Sequence, residues 1–367
     1  MRMAGFLLAA VVGLAGAAQA LPPELAKAAG TSVEKGLAWL KSCQKPSGAW
    51  SDEGMPALTA LPLWAFAASG ARARPPEADR AVAFLLGRQQ PDGGIYVPMP
   101  GRKGGNLGNY NTSISAAALA ATGLRDVAPA VLKARSYIAA SQHGGDDEHA
   151  GGFGYDRDAG RRYSDLNNTH FALDAMRRTE GVEDLRPSGQ KRADVDWEAA
   201  LKYVLRLQNT EGETAGGFAY NTQDPKGGAV TNADGRVTLR AYGSMSYAGL
   251  LALVHARLGR SDPRVRSAVD YGSRFWTLDE NPGQGQQGLF FYFNVMARAL
   301  SASGLETLPR QAAGGIRWRE ELVRKIISLQ KPDGSWANDN NRWWENDPVL
   351  ATSYSLLALE FAAGLTR

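Results

Sequence analysis

The chain has one cysteine, Cys43, in 367 residues. An internal disulfide is excluded, and an exported protein of this size needs none when its core is large. Charge of one sign is also scarce: 41 Lys and Arg stand against 37 Asp and Glu, a formal net charge of +4. No segment is dominated by Lys or Arg, so nucleic acid is not an implied partner. Alternating apolar and polar runs are missing outside the loops, which argues against a strand-built fold. After the first twenty residues, no apolar run is long enough to span a bilayer.

The longest apolar run is at the amino terminus, and it is too short to favour a spanning helix. Met1-Arg2-Met3 precedes an apolar stretch from Ala4 to Ala18, and Ala18-Gln19-Ala20 has the small-x-small form of a cleavage site. This reads as a secretory signal peptide over residues 1–20. The expectation is an exported protein, periplasmic or secreted, whose mature chain is one domain over residues 21–367. No Cys follows the cut, so no lipoprotein anchor is suggested. Nothing in the sequence specifies an oligomeric state.

Internal repeats set the architecture. Six segments share one plan: a helix ending in Gln or an aromatic residue, a Gly-rich loop with an aromatic, then a second helix rich in Ala and Leu. The clearest copies are Gln44-Lys45-Pro46-Ser47-Gly48-Ala49-Trp50 and Gln330-Lys331-Pro332-Asp333-Gly334-Ser335-Trp336. Others centre on Gln89-Gln90 with Gly93-Gly94, Gln142 with Gly151-Gly152-Phe153, and Gln208 with Gly216-Gly217-Phe218. The fifth diverges, with Trp276 in the Gln position. Thr59, Thr112, Thr169, Ser246 and Thr352 each stand near the start of the second helix. Those second helices are apolar all round, which marks buried helices. The first helices are amphipathic, which marks an outer layer. Six such pairs predict an all-α fold: an α/α toroid of two concentric rings.

Gln-x-x-x-Gly-x-Trp loops between helix pairs resemble the repeats of squalene and oxidosqualene cyclases, and the wider pattern is similar to the protein prenyltransferases. The resemblance implies a twelve-helix barrel whose cavity opens at one end and takes an isoprenoid or other apolar ligand. In the proton-initiated cyclases of this family, an Asp-x-Asp-Asp-Thr motif supplies the acid from its middle Asp. The matching string here is Asp165-Leu166-Asn167-Asn168-Thr169. Asn167 holds the acid position, and an amide is no useful proton donor. In the prenyltransferases the corresponding loop carries Asp and Cys zinc ligands. Asp165 matches the Asp, but Asn167 again stands where the Cys belongs, and Cys43 lies in the first repeat. Neither chemistry is carried over, and no metal and no cofactor is expected.

Other constellations read more plainly. Asp194-Val195-Asp196 before Trp197 is a helix cap with its dipole partner. His143 to His149 is a solvated acidic loop without recognisable ligand spacing. Gly283-Gln284-Gly285-Gln286-Gln287-Gly288 lacks the strand that a dinucleotide site needs, and its glycines let the chain fold over the cavity rim. Asp174 and His255 read as structural.

In a toroid the second helices start at one mouth. The residues expected there are Asp165, Asp279 and Glu280 as candidate catalytic carboxylates. Asn168, His170, Arg240, Tyr242, Tyr247, Gln287, Tyr292 and Trp344 are the expected ligand-binding groups. Three functions compete: an isoprenoid or apolar-lipid enzyme or binder, a non-catalytic toroid binding a peptide, glycan or partner protein, and a carbohydrate-active helical barrel. The last would use paired carboxylates such as Glu280 with Asp347. An aliphatic and aromatic cavity favours the first, a filled centre the second, and a Trp-and-carboxylate cleft the third.

Overall fold

A computed structural model describes residues 21–69, 75–99, 107–157, 162–231, 235, 237–310 and 314–365. The export segment expected over residues 1–20 lies outside the described residues. Six outer helices, α1 (Pro23–Cys43), α3 (Pro76–Leu86), α5 (Ala128–Ala140), α7 (Trp197–Arg206), α9 (Pro263–Arg274) and α11 (Trp318–Ser328), alternate with six inner ones. The inner helices are α2 (Ala57–Ala68), α4 (Gly108–Ala121), α6 (Leu166–Arg178), α8 (Gly243–His255), α10 (Leu289–Ala302) and α12 (Pro348–Ala363). The described strands, β1 (Ala229–Thr231) and β2 (Val237–Leu239), form one antiparallel hairpin in the loop before α8.

Starts and stops follow from local chemistry. Proline in the first turn opens α1, α3, α5, α9 and α12, where its missing N–H costs nothing. Asp165, Asp196, Asp262 and Asp347 cap α6, α7, α9 and α12 through backbone N–H groups. Asp194 accepts from the Trp197 indole at 2.9 Å, completing the cap expected of that acidic pair.

The ring closes on itself. Each inner helix packs on the next, α2 on α4, α4 on α6, α6 on α8, α8 on α10 and α10 on α12, and α12 returns to α2. Helix α1 packs on α11 and α12, so first and last repeats share one seam.

The repeated residues explain how neighbours are joined. The Gln44 amide donates to Gly48 O of its own loop and to Glu77 O of the next outer helix. Gln89 does the same with Gly93 and Ala130, Gln142 with Gly151 and Asp196, and Gln208 with Gly216 and Arg264. Gln330 joins Gly334 to Ser32 of α1, which ties the sixth repeat to the first. In the divergent fifth repeat the Trp276 indole donates to Glu321 of α11 at 2.8 Å, doing the same work with another donor. The five recurrent hydroxyls also share one role. Thr59, Thr112, Thr169, Ser246 and Thr352 accept the backbone N–H of Trp50, Ile95, Phe153, Phe218 and Trp336. Each buried loop donor is thereby satisfied. Gly151 requires glycine twice over: its φ is +87, and a Cβ would lie 2.0 Å from Ala199 O of the next outer helix.

No helix among the described residues is long and apolar enough to cross a membrane.

Candidate ligand cavity

The inner helices all begin around one cavity of about 200 Å3. Leu58, Tyr110, Asn167, Met245, Phe291 and Leu350, each in the first turn of its helix, bring every repeat to the wall. Tyr155, Tyr220, Tyr242, Trp343, Trp344 and Tyr354, with Leu107 beside them, make the wall largely aromatic. Gln284 and Gly288 of the glycine-rich loop complete its rim. The centre is not filled at this level, and the wall combines aliphatic and aromatic side chains with Trp343, Trp344 and Glu345, so it has features of both the first and the third outcomes posed by the sequence.

The carboxylate on this wall is Glu345, which the sequence places in the loop at the mouth but not among the candidate catalytic acids. It follows a 3-10 turn, Arg342–Trp344, in the loop before α12. Helix α10 has no side-chain cap of its own, since Gly288 precedes it in a left-handed conformation. Glu345 supplies the cap from the neighbouring repeat. It accepts from Phe291 N at 2.7 Å, Phe290 N at 3.2 Å and the Asn338 amide at 2.9 Å. Burial pushes its pKa up despite these donors. A carboxylate at a helix N-terminus also meets the positive end of the helix dipole. The signal was an acid beside two tryptophans in a loop where Asp347, not Glu345, caps the helix that follows. Trp343 and Trp344 adopt φ of 61 and 62, both left-handed. Bulky residues occupy that region only when surrounding contacts enforce it, and the Glu345 tether is such a contact.

A second polar group lies behind the wall. Asp165 is buried and accepts both Asn168 N at 2.7 Å and the Asn168 amide at 2.8 Å. Burial raises its pKa, while Asn168, the Tyr220 hydroxyl and the Lys226 charge pull it back. The Tyr220 hydroxyl lies 3.0 Å from that of Tyr155 and accepts from Tyr163 at 3.2 Å. Lys226 sits over the Tyr220 ring at 3.1 Å and 4.7 Å from the Trp343 ring, and burial lowers its pKa. Asn167, in the position where the resemblance places an acid, faces the cavity itself.

The eleven expected site residues separate into three groups. Tyr242 and Trp344 line the cavity. Asp165 and Asn168 stand just behind it, and His170 lies deeper in the lumen, fully buried. The other six do not reach it. Arg240 is on the outer rim, paired with Glu213 at 2.6 Å. Asp279 is solvent-exposed and pairs with Lys325 of α11 at 2.7 Å. Glu280 is exposed. Tyr247 and Tyr292 pack with their rings tilted at 53° and 5.8 Å apart, and Tyr292 donates to Thr277 O. Gln287 contributes its carbonyl to Asn281. These six combine polar or aromatic character with a place in the loop before an inner helix or in its first turns, and neither criterion distinguishes the lumen side from the outer side. Asp347, the suggested partner of Glu280, caps α12 and accepts from Ser51.

Other flagged groups have local partners. His143 bonds Tyr163 O at 2.8 Å and His149 bonds Ser164 at 2.9 Å. Among the described residues no cluster of His, Cys, Asp or Glu has a metal-holding arrangement. Asp174 is ion-paired with Arg298 and Arg178 and bonded to His255 at 2.9 Å. Burial alone would raise its pKa, but the two guanidinium groups hold it well below the usual carboxylate range. This buried network joins α6, α8 and α10.

No protein-family model matches the chain, and no curated protein matches it in sequence. Solved structures do match in fold. A tyrosine variant of the type II terpene cyclase MstE from Scytonema superposes with a TM-score of 0.57 at 13% identity, over 94% of this chain and 100% of that one. Another MstE variant, in complex with geranylgeranyl dihydroxybenzoate, gives 0.54 at 12% identity, over 94% and 100%. The GH76A α-1,6-mannanase from a Salegentibacter species gives 0.57 at 14% identity, over 92% and 99%. The chain therefore has a terpenoid cyclase-like α/α toroid fold, one also used by a mannanase.

Proposed function

We propose that this protein is exported and that its toroid cavity binds an isoprenoid or other apolar chain. The wall supports this reading: aliphatic and aromatic side chains from all six repeats converge, with Glu345 as the carboxylate among them. Concave, mostly apolar sites with a few placed polar groups are the usual form of small-molecule pockets. Burial of a hydrocarbon there is favoured by about 25 cal/mol per Å2 of apolar surface. Glu345 and the Tyr155–Tyr220 hydroxyl pair are the polar groups that would orient a ligand. With Asn167 at the wall, initiation by a cyclase-type acid at that position is not part of the proposal.

A carbohydrate-active reading draws on half-exposed Trp343 and Trp344 beside Glu345. Glycoside hydrolysis by the usual route needs two carboxyl groups about 5 to 9.5 Å apart. Glu345 lacks such a partner among the described wall residues, so the apolar reading is preferred. The test is mass spectrometry of organic extracts from protein purified without detergent, alongside binding of alkanes and of α-1,6-mannotriose. A co-purifying isoprenoid or alkane binding supports the proposal. Mannotriose binding without either refutes it. N-terminal sequencing of protein from the exported fraction tests cleavage after Ala20.

A further inference from the structure

Two inner helices carry matching stripes into the lumen. On α10 the stripe runs Phe291, Asn294, Arg298, and on α6 it runs Asn167, His170, Asp174. Both have the i, i+3, i+7 spacing of one helix face. The top of each stripe, Phe291 and Asn167, lines the cavity. The bottoms meet, Arg298 pairing with Asp174. The middle residues, His170 and Asn294, are thereby set at the same depth on two walls of the lumen. The His170 ring lies 6.0 Å from the Phe291 ring, which places this level directly beneath the cavity floor.

Both middle residues are fully buried, and neither has a partner. The two ring nitrogens of His170 and both amide atoms of Asn294 make no hydrogen bond. The His170 ring leans toward the Leu166 and Asn167 carbonyls of its own helix without reaching bonding geometry. Unpaired buried groups of this kind destabilise the fold unless something meets them. These four atoms lie on lumen-facing stripes, and the His170 ring is packed against Phe171 at 4.1 Å and Phe291 at 6.0 Å, an apolar setting in which a polar group of a ligand would find them as partners.

We infer that His170 and Asn294 form a deep subsite for a hydroxyl group at the end of the apolar chain that fills the cavity, with Phe291 turning aside to admit it. This rests on the proposed apolar-ligand function. A hydroxyl both donates and accepts, which matches an amide and a neutral imidazole. Burial and the nearby Arg298 push the His170 pKa down to about 3, so the ring is neutral at ordinary pH. A carboxylate would meet the acceptor atoms of both side chains, and the positive charge beneath is already engaged by Asp174.

The experiment compares decane, decanol and decanoate by calorimetry on the full protein and on Asn294→Leu, a change of similar volume. Decanol should bind wild type about tenfold more tightly than decane, one hydrogen-bonded group's worth. The Leu variant should keep its decane affinity and lose the preference. Its melting temperature should not fall, because an unpaired amide is removed. His170→Phe should also abolish the preference. The inference is overturned if wild type binds decane and decanol equally, if decanoate binds best, or if Asn294→Leu retains the preference. Failure of all three probes would instead overturn the apolar-ligand function.

Discussion

The ring seam gives the sharpest test of the fold. Gln330 is the residue through which the sixth repeat holds the first. Its amide donates to Ser32 O and Gly334 O, both at 2.9 Å, and its carbonyl accepts from the Ser32 hydroxyl at 2.8 Å. Gln330→Ala removes three bonds, each worth about 1 kcal/mol net, and partial burial limits how well water can replace them. A loss of roughly 2–4 kcal/mol is expected. Gln208→Ala, at an interior junction, removes two bonds of 3.1 and 3.0 Å, for a loss of roughly 1–3 kcal/mol.

The more discriminating readout is where the loss appears. Helix α1 is held by α11 and α12 across the seam, so Gln330→Ala should speed amide exchange through α1 before the rest of the ring. Gln208→Ala should leave α1 protection near wild type. Urea unfolding gives the magnitudes, and hydrogen exchange with mass analysis gives the location. Uniform loss of protection in Gln330→Ala, or a destabilisation under about 0.5 kcal/mol, would refute the seam argument.

Three further outcomes are expected. Gly151→Ala should destabilise by more than about 3 kcal/mol or abolish soluble expression, because strain at positive φ adds to a carbonyl clash; a melting point within a few degrees of wild type would contradict it. Purified protein should form no polycyclic product from squalene, since Asn167 cannot supply the initiating proton; product clearly above a heat-killed control would refute this. Glu360 is fully buried with both oxygens unpaired, and burial lifts its pKa well above the usual range. Its folded pKa exceeds the unfolded one, so the folded state keeps a proton that the unfolded chain releases as pH rises above the ordinary carboxylate range, and stability falls through that window. Glu360→Gln should flatten that decline, and melting curves from about pH 4 to about pH 8 that keep the wild-type slope would refute the assignment.

The repeat chemistry was legible because each repeated residue has a repeated job. Gln reaches the next outer helix, Gly lets two backbones touch, and Thr or Ser satisfies a buried loop N–H. Those demands recur at five of the six junctions, so they recur in the sequence, and in the fifth repeat the Trp276 indole takes over the joining bond. The site was less legible because its demands occur once. Glu345 and Lys226 sit in loops unlike their counterparts, and nothing local in the sequence says that one caps a helix of another repeat while the other stacks on Tyr220. Arg240, Asp279 and Glu280 had the expected chemistry at the expected positions along the chain, yet their loops turn those side chains outward.

The same division separates what joins the ring from what shapes its cavity. The recurrent joining bonds depend on outer-helix ends and loop glycines, and Glu345 is a wall residue that also ties two repeats together. The wall depends on the first turns of the inner helices and on the loop before each. Changes at Asn167, Phe291 or Trp344 therefore alter the cavity without touching a single Gln or Gly junction. A seven-residue stripe on an inner helix spans about 10 Å of lumen depth at 1.5 Å per residue, enough to carry a wall residue, a polar residue and a charged one in sequence. On α6 and α10 those three steps are Asn167, His170, Asp174 and Phe291, Asn294, Arg298. The charged pair at the bottom fixes the two helices relative to each other. With that anchor in place, the two steps above it are free to be set by what the cavity holds.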